Sequence, residues 1–120
     1  MPLTRDFLQT VMERAARDPE FRIGLLTEAL ESLVSGELEV AKILLRDYIN
    51  ATVGFDSVGK AIDKSPKSIM RMLGPNGNPN AKNLFEVTQY LQKQAGMTCR
   101  VVSTVDPRKA KKLKKSELVK

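Results

Sequence analysis

Apolar residues recur at helical spacing through the first half of the chain. Phe7, Leu8, Val11, Met12 and Ala15 share one face and predict a helix of about 14 residues, with Thr4 as its N-cap. Asp18-Pro19-Glu20 then starts a second helix. Aspartate caps it, proline takes the first helical position, where its missing N–H costs nothing, and glutamate complements the helix dipole. Phe21, Leu25, Leu26, Ala29, Leu30 and Leu33 form its stripe, and Ser35-Gly36 ends it with glycine in the left-handed position. Glu37 opens a third helix with Val40, Ala41, Leu44, Leu45, Tyr48 and Ile49 on one face, closed by Gly54. Three such stripes predict a helical core.

Shorter elements follow. Phe55 to Ile62 reads as a helix with Val58, Ala61 and Ile62 inward, interrupted by Asp63 and Lys64. Ser65 caps the next, with Pro66 at its first position and Ile69, Met72 and Leu73 inward. Gly74-Pro75 stops it, glycine as a left-handed cap, and Asn76-Gly77 and Asn78-Pro79 are turn pairs. Asn80 caps a longer helix in which Ala81, Leu84, Phe85, Thr88 and Leu91 share a face, and Gly96 ends it. The fold class is all-α, a multi-helix domain, with one candidate short strand near the C-terminus and a basic tail. The organisation is an N-terminal helical extension (1–54), a domain of shorter helices (55–97), the β-branched candidate strand (98–105) and a flexible lysine-rich tail (106–120). A lone strand is unstable, so this one needs a second segment or subunit.

Charge is unevenly divided. The net value is +6, yet residues 1–50 hold six Lys/Arg against nine Asp/Glu, and the basic excess lies entirely beyond them. Two surfaces with different partners are expected. The chain has no histidine or tryptophan and a single cysteine, Cys99. That excludes a Cys/His zinc site and a histidine general base within one chain, and it fits a reducing, cytoplasmic setting. No nucleophile–base constellation appears, so an enzyme is not expected, and no cofactor is implied. No apolar run reaches membrane-spanning length and no signal-peptide pattern opens the chain.

Two short helices joined by a tight turn, the second basic on its outer face, form the helix-turn-helix pattern. Val58, Ala61, Ile62, Ile69 and Met72 are its expected inner positions, with small Ala61 where the helices approach most closely. Lys67, Ser68, Met70 and Arg71 face outward. Arg71 suits guanine O6 and N7, Lys67 a guanine or a phosphate, and Lys64, Ser65 and Lys82 phosphates. From Lys64 to Lys82 there are four basic residues and no acidic one, which favours DNA. The glycine loop is not a phosphate-binding P-loop: it follows a helix, and Asn78-Pro79 stands where Lys-Ser/Thr would be required. RNA is disfavoured because the few aromatics, among them Tyr48, Phe55 and Phe85, lie on expected core faces.

The run LVSGELEVAKILLRDYINATVGFDSVGKAIDKSPKSIMRMLGPNGNPNAKNLFEVTQYLQ resembles the addiction-module antidote proteins, as do the opening LTRDF and the segment DPEFRIGLLTEAL. The resemblance covers roughly residues 3 to 102 and is most specific in LLRDYINATVGF and RMLGPNGNP. It implies a lambda-repressor-like helix-turn-helix in an antitoxin of a type II toxin–antitoxin system, a transcription regulator that represses its own operon. It further implies a small basic toxin partner of the RelE/ParE-like superfamily, while a homodimer on double-stranded operator DNA is expected because one recognition helix reads only a few base pairs. A stand-alone repressor is the alternative. One departure is Asp63, where the motif often has glycine. Aspartate tolerates the left-handed conformation that the turn requires. The candidate strand and the first helix are the expected dimer elements.

Overall fold

The structure, a computed structural model, describes residues 5–110. All regular structure among them is helical: α1 (Arg5–Arg17), α2 (Pro19–Val34), α3 (Leu38–Ala51), α4 (Phe55–Ile62), α5 (Pro66–Met72), α6 (Ala81–Ala95) and the single turn α7 (Pro107–Ala110). Thr4, the side chain of Leu8 and the tail from residue 111 onward lie outside the described residues. None of the described helices is long and apolar enough to cross a membrane.

Short-range chemistry sets the boundaries. Asp18 accepts a hydrogen bond from the Phe21 amide at 3.2 Å, Ser65 from Ser68 at 3.1 Å and Asn80 from Asn83 at 2.8 Å. Each satisfies a backbone donor that the first turn leaves without an intrahelical partner. Gly36, Gly54 and Gly96 have positive φ at the α2–α3, α3–α4 and α6 C-terminal junctions. Gly74 does not. The expected left-handed cap at Gly74 is therefore replaced by a simple turn, closed by the Gly77 amide donating to the Gly74 carbonyl at 3.0 Å.

One buried cluster joins α2 to α6. Leu26, Ala29 and Leu30 of α2 and Leu45, Tyr48 and Ile49 of α3 pack with Val58, Ile69, Met72, Leu73, Val87 and Leu91. α2 lies along α3, α1 covers both, and α4 rests on α5 and α6. The cluster crosses the junction at Gly54, where α3 meets α4 and α2 meets α6.

Several further expectations need correction, Phe7 and Ala81 on the expected core faces of α1 and α6 being exposed. Ala61 is exposed, and the residue at the close approach of α4 to the following turn is Gly59. Phe85 is 65% exposed, because α6 turns Leu84, Val87, Thr88 and Leu91 inward instead. Val40, on the expected core face of α3, is also exposed. Residues 98–105 form no strand: β-branched residues favour extended backbone, but no second segment among the described residues pairs with them. Their start is held by Gln92, whose Oε1 accepts from the Cys99 amide at 2.8 Å. Beyond them Asp106 caps the turn of α7, its Oδ1 accepting from the Arg108 amide at 2.9 Å, so residues 107–110 of the expected tail are helical.

Candidate nucleic-acid interface

α4 and α5 are joined by Asp63, Lys64 and Ser65. The turn is possible because position 59 has no side chain. A Cβ there would lie 2.4 Å from the Lys64 carbonyl oxygen, closer than any real contact. The Lys64 amide donates back to the Gly59 carbonyl at 2.9 Å. Asp63 takes up the reversal at φ 59°, ψ 51°, the left-handed conformation expected of it. Ser65 then begins α5, its hydroxyl donating to Ser68 Oγ at 2.9 Å while its oxygen accepts from the Ser68 amide. Both serine hydroxyls are thus engaged with each other.

Lys64, Lys67, Met70 and Arg71 are exposed, Ser68 is half-buried, and Met70 shows 47% of its surface. No carboxylate among the described residues pairs with Lys64, Lys67 or Arg71. Lys82, also exposed, lies one turn before Glu86 and pairs with it at 3.9 Å. Lys64, Ser68 and Arg71 line one open depression together with Asn76, Asn78 and Asn83. Lys67, Met70 and Lys82 lie outside that depression. The expected set is therefore divided: three members converge, and asparagines from the glycine loop and α6 complete their surroundings.

The glycine loop is fixed from beneath. Lys42 is 1% exposed, and its ammonium donates to the Gly77 carbonyl at 2.8 Å and meets Glu39 at 3.1 Å. Gly77 lies against the end of α5, where a Cβ would be 2.2 Å from the Arg71 carbonyl oxygen and 2.3 Å from that of Met72. Only a residue without a side chain reaches this position. The α3 lysine is thereby connected to the loop that borders Arg71.

Sequence reasoning missed Lys42, Asn76 and Asn78. Lys42 carried a signal: it lies three residues before Leu45 and seven before Ile49, on the buried stripe of α3. A lysine there must bury its stem and find an acceptor. Asn76 and Asn78 were legible only as turn residues, because composition does not distinguish a turn former from a binding group.

Elsewhere, burial raises the Asp47 carboxyl above its ordinary range, opposed by the positive charge of Arg46. Burial likewise raises Tyr48, opposed by Arg22. Arg22 donates to the Ala15 carbonyl, and Arg14 stacks on the Phe21 ring, 4.4 Å from its centroid, so α1 and α2 are tied by two guanidinium groups. Among the described residues, no three His, Cys, Asp or Glu side chains gather where they could hold a metal ion. Comparison with protein families, with curated proteins and with solved structures finds no match for this chain.

Proposed function

We propose that the protein binds double-stranded DNA through α4 and α5 used as a helix-turn-helix, and that it represses transcription by occupying an operator as a dimer. The observation that carries this reading is the state of Arg71. It is exposed and without an acidic partner among the described residues, and it shares its depression with Lys64 and Ser68. An unpaired guanidinium on a helix whose inner face is buried is available to a guanine edge, and the neighbouring lysines supply phosphate affinity. α5 presents Lys67, Met70 and Arg71 to one partner surface, and Met70 offers an apolar contact of the kind a thymine methyl takes. Two half-sites multiply the specificity of so short a helix, hence the dimer.

In the fuller reading the protein is the antitoxin of a toxin–antitoxin pair and autoregulates its operon. That step rests on the sequence resemblance described above, and a small basic toxin would suit the acidic excess of residues 1–50. Selection from a pool of duplexes with a randomised central segment, followed by gel shift on the enriched duplex, tests DNA binding. A single enriched motif is expected, and binding without sequence preference overturns the reading. Co-expression with the adjacent gene tests the antitoxin: rescue of growth from a toxic neighbour is expected, and a non-toxic neighbour leaves the repressor alone.

A further inference from the structure

Arg71 is followed by a loop whose construction exceeds what stopping a helix requires. α5 already ends at Met72 with Leu73 as its C-cap, and Asn80 begins α6. Between them the chain places Gly77 on the last carbonyls of α5 and anchors it to a fully buried ammonium. Burying a lysine costs free energy that a leucine at the same position would not, and the Gly77 carbonyl and the Glu39 carboxylate are the partners that offset it. What that anchor immobilises is the pair flanking Gly77. Asn76 and Asn78 are exposed, and their carboxamides make no hydrogen bond within the described residues. Both border the depression that Arg71 lines.

We infer that Asn76 and Asn78 form a second base-reading element beside α5, held in register with Arg71 by Lys42 as positioning residue. The inference rests on the DNA-binding reading above and adds to it. The chemistry points to base edges rather than to phosphates. A phosphate accepts only, and Lys64 in the same depression already supplies a cation for it. A carboxamide offers a donor and an acceptor together, which matches the N6 and N7 of adenine in the major groove. Such a contact is useful only if the loop keeps a fixed position relative to the helix, and the Lys42–Gly77 bond provides that.

The test compares wild type with Asn76→Ala/Asn78→Ala, Arg71→Ala and Lys42→Met, each used to enrich duplexes from the same randomised pool and then titrated on the wild-type duplex. The double asparagine variant removes only exposed side chains without intramolecular bonds, so folding is not at stake. It should lose about tenfold in affinity and lose preference at base pairs distinct from those relaxed by Arg71→Ala. Lys42→Met should relax the same base pairs as the asparagine variant while keeping those read by Arg71. Unchanged preferences in the double asparagine variant overturn the base-reading assignment. A loss equal on all sequences also overturns it, since that marks phosphate contact. Unchanged preferences in folded Lys42→Met remove the positioning role, and an unfolded Lys42→Met leaves the decision to the asparagine variant. If wild type enriches no motif, the DNA-binding reading itself fails, and this inference with it.

Discussion

The ammonium of Lys42 donates to the carbonyl oxygen of Gly77 across 2.8 Å, joining α3 to a loop 35 residues further along the chain. Lys42 is buried to 1% exposure, whereas its carboxylate partner Glu39 is largely in solvent. The buried ammonium thus has one partner inside the fold, the Gly77 carbonyl, and one at the surface, the Glu39 carboxylate. Replacing Lys42 by methionine keeps the apolar stem and leaves that carbonyl without its donor. A loss of about 1–3 kcal/mol is expected, read as a lower urea midpoint with an unchanged m-value. Glu39→Gln, by contrast, should change stability by less than about 0.5 kcal/mol.

Glycines 77 and 24 should respond in opposite directions. At Gly77 an added Cβ meets two backbone carbonyls at 2.2 and 2.3 Å, and neither can swing away. Gly77→Ala should cost about 2–4 kcal/mol. Gly24 lies within α2 with nothing within 4 Å of the same added atom. Gly24→Ala should stabilise by about 0.5–1 kcal/mol through helix propensity and a less disordered unfolded chain. Thermal melts of the two variants beside wild type check both signs at once.

Asp63 holds a left-handed conformation that costs a residue with a Cβ about 1 kcal/mol. Asp63→Gly should recover most of that cost. Asp63→Val, β-branched in the same position, should lose at least as much again. An Asp63→Gly variant less stable than wild type in chemical denaturation would show that the aspartate side chain contributes more than its backbone strain removes.

Asp47 titrates above its ordinary value of 3.8 because burial disfavours its charge, with Arg46 opposing. In the relevant window the folded protein therefore holds this proton more tightly than the unfolded chain. The resulting stability is fully present below the ordinary carboxylate value and is lost as pH rises through the folded value. At neutral pH the charged group is a burden. Asp47→Asn should be more stable than wild type at pH 7, and the advantage should vanish below about pH 4. Paired denaturation curves across that range provide the check.

Arg71 and Lys82 should differ in kind. Arg71→Ala should cost about 1–3 kcal/mol in binding and relax preference at one base pair, whereas Lys82→Ala should weaken all sequences alike. Lys82 also pairs with Glu86, so its loss frees an anion near the duplex and adds to the uniform effect. Salt titrations on specific and random duplexes separate the two. Equal slopes and equal loss of selectivity for both variants would remove the distinction.

Local chemistry was legible in the sequence, and long-range chemistry was not. Asp18, Ser65 and Asn80 were readable as caps because the bonds they make span only three residues. The Asp63 reversal was readable for a similar reason: its conformation is a property of one residue. The Gly59 approach was misplaced onto Ala61, since both are small and only the crossing of the following turn distinguishes them. Phe85 was assigned inward because an aromatic on a periodic stripe resembles core, yet the apolar arc of α6 is centred on Val87 and Leu91. Residues 98–105 form no strand here because propensity describes the segment, and pairing requires a neighbour that the described residues do not supply. Within the candidate site, charge and spacing single out Arg71, Ser68 and Lys64, and the fold gathers these three around one depression. Their asparagine neighbours came only from the way the loop folds back over the end of α5.

The shared cluster from Leu26 to Leu91 has a practical consequence for protein engineering. α5 is seven residues long, too short to hold a helical shape by itself, and Ile69 and Met72 beneath it pack in one cluster with Leu45, Tyr48 and Ile49. A fragment beginning at Phe55 would expose that apolar floor and should precipitate or remain unfolded. Grafting the proposed DNA-binding surface onto another scaffold therefore means transplanting α2 through α6 as one cooperative block.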